Sequence, residues 1–104
     1  MRPYELKIAY IDWGDGGKRR PALILHSDGV KVATYAITTQ YESKSESIKA
    51  KYLVINDWEA AGLNKPSYID TTRIRRLFPC AIDNAPIGQL SQADITRLLE
   101  FIAK

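Results

Sequence analysis

Gly17-Lys18-Arg19-Arg20-Pro21-Ala22-Leu23-Ile24-Leu25 runs three cations directly into a proline and then into an uninterrupted aliphatic stretch. Few local structures accommodate that order. Asp15, Gly16 and Gly17 favour a turn. Pro21 fixes its own φ and pushes Arg20 into an extended conformation. Ala22 to Leu25 has the length and continuity of a buried strand. The expectation is a hairpin whose cationic tip is tied to a sheet, with Arg20 the cation held most firmly. A planar guanidinium offers donors in a fork that matches phosphate oxygens and stays charged at physiological pH. The same residues also read as a solvated hairpin tip, because basic runs are weak motifs.

The rest of the chain is consistent with a sheet built around that hairpin. Glu5 to Trp13 alternates as a first strand, Arg20 to His26 is the second, and Val30 to Gln40 (VKVATYAITTQ) is a β-branched third strand after the Ser27-Asp28-Gly29 turn. Tyr41 to Lys49 is a polar loop, read either as a connector or as a gate beside a functional surface. Lys51 to Ile55 is a fourth strand. Asn56-Asp57 can cap a short helix over Trp58 to Ala61 that stops at Gly62. Ser67 to Arg73 is a fifth strand, with Tyr68, Asp70 and Thr72 on one face and Ile69, Thr71 and Arg73 on the other. Arg73 to Phe78 ends that strand or makes a helical turn, closed by Pro79. Ile87 to Leu90 is a short last strand. Ser91-Gln92-Ala93-Asp94 is a capping box, and Ile95, Leu98, Leu99 and Ile102 recur at helical spacing to cover the open side of the sheet. The sum is a mainly β (α+β) domain, a small, strongly bent antiparallel barrel with a short helix and a C-terminal helix.

Composition narrows the chemistry. At 104 residues, with 45% hydrophobic and 26% charged side chains, the chain is expected to be a single domain, 1–104, with little apolar surface to spare, so that association with a second copy would help it. No apolar run approaches the roughly 20 residues needed to span a bilayer, and a cytoplasmic location is expected. The one cysteine, Cys80, forms no internal disulfide, and one cysteine with one histidine does not make a zinc site. Cys80 reads as structural or incidental, and His26, at the end of the apolar run, as a structural histidine. The formal net charge of +3 is concentrated in Lys18, Arg19, Arg20 and in Arg73, Arg75, Arg76. Brought together, these clusters would make a surface suited to a polyanion.

Without a metal set or a nucleophile triad, an arginine–hydroxyl chemistry remains. RNA can be cut by its own ribose 2′-hydroxyl if a protein orients that hydroxyl, neutralises the phosphorane and assists proton transfer. Arg20 suits the phosphate and Thr38 suits hydrogen bonding at the same centre, although a strand threonine also reads simply as a good β-former. Tyr41 or Trp13 could stack on an unpaired base, or pack in the core.

The hairpin GDGGKRRPALIL, the strand ATYAITTQ, the segment NDWEAAGLNKPSYIDTTRIRRL and the tail IGQLSQADITRLLEFI stand in the order found in the MazF/PemK family of toxins from type II toxin–antitoxin systems. Across nearly its whole length the chain resembles that family. The resemblance implies an SH3-like barrel and a metal-independent, sequence-selective endoribonuclease of single-stranded RNA that needs no cofactor. It also implies a homodimer neutralised by a cognate antitoxin. Arg20 resembles the phosphate-stabilising arginine of the family's Arg-Pro motif, and Thr38 the threonine of its Ile-Thr motif. Asp70 falls where some members use an aspartate as a base or RNA contact, and Arg73 resembles the arginine that follows it, which the resemblance makes structural or RNA-binding. Lys18, Arg19, Thr39, Gln40 and Tyr41 flank these positions and are expected as further RNA contacts. The chain departs from the family where Tyr4-Glu5-Leu6-Lys7-Ile8 replaces an Arg-Gly-Asp-like opening, and where Tyr68 stands in place of an arginine proposed as the acid.

Two other classes fit parts of the sequence. A non-catalytic nucleic-acid-binding module needs only the basic clusters. A CcdB-like gyrase inhibitor would carry its function in the C-terminal helix, but Ile102-Ala103-Lys104 lacks the Trp-Gly-Ile-type ending of that group.

Overall fold

Pro21 sits inside the strand Gly17–Ser27 rather than at its start, opposite Ile8 of the strand Glu5–Asp12, and the strand runs on both sides of it. The computed structural model describes residues 1–12 and 16–103. Trp13, the Gly14-Asp15 part of the expected turn and Lys104 lie outside the described residues. The strands are β1 (Glu5–Asp12), β2 (Gly17–Ser27), β3 (Val32–Thr38), β4 (Tyr52–Val54), β5 (Tyr68–Leu77) and β6 (Gly88–Gln89). Two helices, α1 (Glu46–Lys49) and α2 (Gln92–Ile102), and a 3-10 turn at Pro79–Ala81 complete the described elements. The six strands form one antiparallel sheet in the order β4-β5-β3-β2-β1-β6, curled into a half-barrel. Among the described residues no helix is long and apolar enough to cross a membrane.

Several boundaries differ from the expected ones for local reasons. β3 begins at Val32 rather than Val30, because the Asp28 carboxylate accepts from the Val30 and Lys31 N–H groups, each at 2.8 Å, and keeps them in the turn. The polar loop after β3 contains α1, capped by Ser45. Trp58 to Ala61 is a set of turns rather than a helix: Ala61 N–H reaches the Asp57 carbonyl, and Gly62, at φ 87°, then ends the run. His26 is exposed rather than packed.

Each face of the sheet has its own core. On one, Leu6, Leu23, Tyr35, Ile37, Leu53 and Ile69 pack with Ile95 and Leu98 of α2. Burying Ile95 and Leu98 contributes about 1.5–3 kcal/mol each. Phe101 packs partly against this core, whereas Leu99 and Ile102 stay exposed, so only part of the expected helical stripe covers the sheet. Asp94 completes the helix start differently from a capping box. Ser91 Oγ accepts from Asp94 N–H, but the Asp94 carboxylate turns away to accept from Asn56 N–H at 3.3 Å and Asp57 N–H at 2.8 Å. Arg97 donates to the same carboxylate at 2.8 Å and to the Val54 carbonyl. A buried carboxylate therefore ties α2 to the turn after β4.

On the other face the core mixes alanines with β-branched side chains: Ala9, Ile11, Ala22, Ile24, Val32, Ala36 and Ile82. Ala22 pairs directly with Ala36. Short side chains at these central positions leave a depression in the sheet, and the charged residues gather at its edge.

Candidate functional site

The strand registers bring the expected residues together. Arg20 pairs with Ala9, and two residues further along β2, Ala22 pairs with Ala36. Thr38 lies two residues beyond Ala36, so Arg20 and Thr38 share a face at the same end of β2 and β3. On the other side of β3, Ala36 pairs with Asp70 and Thr38 with Tyr68. Tyr52 of β4 pairs with Asp70 in turn. Arg20, Thr38, Asp70 and Tyr52 line one cavity of about 290 Å³, floored by Ala36 and Ile11.

Arg75 joins this cavity, and alternation along β5 gives no hint of it. Between the Ala36–Asp70 and Thr34–Arg75 pairs, β3 advances by two residues and β5 by five. The odd surplus reverses the alternation, so Arg75 comes to the Asp70 face while Arg73 is exposed within the irregular segment. Local bonds hold that segment. Asp70 Oδ1 accepts from Thr72 N–H at 2.9 Å and from its hydroxyl at 2.5 Å. Thr71 donates from both N–H and hydroxyl to the Lys51 carbonyl. Thr34 Oγ1 donates to the Arg75 carbonyl at 2.9 Å.

These groups sense one another electrostatically. Burial pushes the Tyr52 phenol up, Asp70 adds to the rise, and Arg75 and Arg20 oppose it. Burial lowers Arg75, Arg73 and Arg20 lower it further, and Asp70 and Tyr52 act in the opposite direction.

Arg20 and Thr38 also line a second cavity of about 400 Å³, bounded by Pro21, Leu63, Asn64 and Ile87. Thr39 and Gln40 lie on its rim. Thr38 Oγ1 accepts from Gln40 N–H at 3.0 Å, which orients the hydroxyl while leaving its own proton to donate. The two cavities meet at the Arg20–Thr38 pair.

The remaining expected residues surround this centre. Lys18 is exposed on the Arg20 face of β2. Arg19 points to the opposite face and forms an ion pair with Asp83. Tyr41 stacks on Tyr68, with centroids 4.4 Å apart and planes at 11°, and meets Tyr52 at 6.4 Å. The Lys49 ammonium lies 5.0 Å from the Tyr41 ring, so that ring is engaged within the protein. Cys80 is exposed, and Lys44 lines the charged cavity.

A curled β half-barrel with an arginine, a hydroxyl and a carboxylate converging beside a paired cavity defines the class: a small barrel with a charged groove. No family model and no curated protein matches the sequence. Among solved structures, the Mycobacterium tuberculosis toxin MazF-mt6 aligns with a TM-score of 0.73 and 25% identity, covering 95% of this chain and 92% of that one. An endoribonuclease in complex with its cognate antitoxin, from a mycobacterial species, aligns at 0.62 with 15% identity, over 97% and 89% of the two chains. The fold is that of a MazF-type toxin.

Proposed function

We propose that this chain is the toxin of a toxin–antitoxin pair and an endoribonuclease that cleaves single-stranded RNA through the ribose 2′-hydroxyl. The observation that carries this reading is the meeting of Arg20 and Thr38 where the two cavities join, with Asp70 and Arg75 across the groove. A scissile phosphate seated at that junction would have the Arg20 guanidinium and the Thr38 hydroxyl on its oxygens. Asp70 is suited to take the 2′-proton as the 2′-oxygen attacks phosphorus, giving a 2′,3′-cyclic phosphate and a free 5′-hydroxyl. The flanking base fits the larger cavity, against Pro21 and Leu63, with Asn64 and Gln40 positioned to read its edge. Lys18, Arg73 and Lys44 extend a cationic track for the backbone. Thr39 and Tyr41 border that track, while Arg19, on the opposite face, would act on RNA only through long-range charge.

The chain is further proposed to act in the cytoplasm as a homodimer that exposed Leu99 and Ile102 would help to seal. Its antitoxin would be an acidic segment with apolar anchors, suited to a cationic groove.

The test is cleavage of a mixed-sequence RNA in EDTA by wild type, Arg20→Ala and Thr38→Ala, with mapping of the ends. Cyclic-phosphate ends from wild type, lost in both variants, support the reading. RNA bound but left intact by folded wild-type protein would favour a plain binding module.

A further inference from the structure

We propose that Tyr52 is the general acid of this site, delivering the proton to the departing 5′-oxygen. The assignment rests on the ribonuclease reading above and supplies what that reading lacks. An alkoxide leaving group needs a proton, and His26, the one histidine, is exposed on β2, away from the groove. Tyr52 lies directly opposite Asp70 in the β4–β5 ladder and lines the same cavity as Arg20, Thr38, Asp70 and Arg75. Facing residues in such a ladder have Cβ atoms about 4.5–5.5 Å apart, which puts the phenol beside the proposed base. Tyr41 packs at an angle against the Tyr52 ring and is itself stacked on Tyr68, so the phenol is held toward the groove.

The chemistry closes on itself. Asp70 takes the 2′-proton as the 2′-oxygen–phosphorus bond forms. The phosphorus–5′-oxygen bond breaks with its electron pair on the 5′-oxygen, which receives the Tyr52 proton. A phenolate is a much weaker base than an alkoxide, so that transfer is downhill. The phenolate formed lies among Arg75, Arg20 and Lys44. Asp70, now protonated and adjacent, returns its proton to Tyr52, and the site is reset without net gain or loss of protons.

The experiment uses an RNA whose cleaved bond has been mapped with the wild-type protein, and the same RNA with sulfur replacing the 5′-bridging oxygen at that bond. A thiolate leaves without being protonated. Single-turnover cleavage of the ordinary RNA by Tyr52→Phe should fall by about 10²- to 10⁴-fold, while the sulfur-bridged RNA is cut at close to the wild-type rate. Arg20→Ala should slow both substrates, and Lys44→Ala should not show the rescue. Unchanged cleavage of ordinary RNA by Tyr52→Phe, an equal loss on both substrates, or rescue in Lys44→Ala instead would overturn the assignment and leave the ribonuclease reading standing. If folded wild-type protein cleaves no RNA of a mixed-sequence pool, so that no bond is there to map, both readings are overturned.

Discussion

Gly62 and Gly88 pass so close that neither tolerates a side chain: a Cβ on Gly62 would stand 2.0 Å from the Ile87 carbonyl oxygen, and one on Gly88 would stand 2.1 Å from that of Ala61. This contact seats the 62–65 segment, one wall of the larger cavity, against β6. Gly88→Ala should cost about 1–3 kcal/mol through forced backbone movement. Gly62→Ala should cost about 1–2 kcal/mol more, because its φ of 87° is left-handed. Urea denaturation of the two variants checks the order. The cleavage-sequence profile on a randomised RNA pool should broaden in Gly88→Ala as the wall shifts.

Asp94 holds the turn at Asn56-Asp57 that begins the connection leading to that wall. Asp94→Ala should destabilise the protein by about 2–4 kcal/mol, since it leaves the Asn56 and Asp57 N–H groups and the partly buried Arg97 without their shared acceptor. The urea midpoint should fall with the slope unchanged. A loss below 0.5 kcal/mol would show that the α2 tie is not structural.

Adjacent arginines should behave differently. Arg19 is paired with Asp83 at the surface, and Arg19→Ala should change stability by about 0–1 kcal/mol and cleavage by only a few-fold. Arg20→Ala should lower single-turnover cleavage by about 10²- to 10³-fold. Equal losses in the two variants would mean that charge density alone matters.

Alkaline pH should weaken the fold through Tyr35. Burial raises its phenol above the ordinary 10.0, so the folded state binds the proton more tightly than the unfolded chain. The resulting stabilisation is complete below pH 10 and is lost as pH rises through the folded value. Thermal melts of wild type should decline over that range, and Tyr35→Phe should decline less. Identical alkaline profiles would remove Tyr35 as a contributor.

Much of the fold was legible because short connections and period-2 alternation leave few arrangements for β1, β2 and β3, and because Ser91 marks the start of α2 so plainly. Arg20 and Thr38 were legible from residue chemistry on neighbouring strands and Asp70 only through the family resemblance; the registers bring all three to one cavity. Tyr52 and Arg75 were not. Tyr52 has no motif of its own and gains its setting from Asp70, eighteen residues away on the partner strand. Arg75 was hidden because alternation was carried through a segment that breaks it. In sequence Asp94 looks like part of a local cap, whereas its carboxylate is satisfied by a turn distant in sequence.

The surplus residues in β5 act as a phase shifter. Asp70 and Arg75 share a face only because an odd number of extra residues separates them from the matching stretch of β3. Without that odd surplus, strict alternation from Asp70 would put Thr72, Ile74 and Arg76 on the groove face and turn Arg75 outward, with the strand order unchanged. The number of residues looped out of the ladder therefore decides which cation the groove receives, with no change of residue type. Copies of this fold could therefore diverge in substrate choice by slipping in length at this one segment while their cores stay intact.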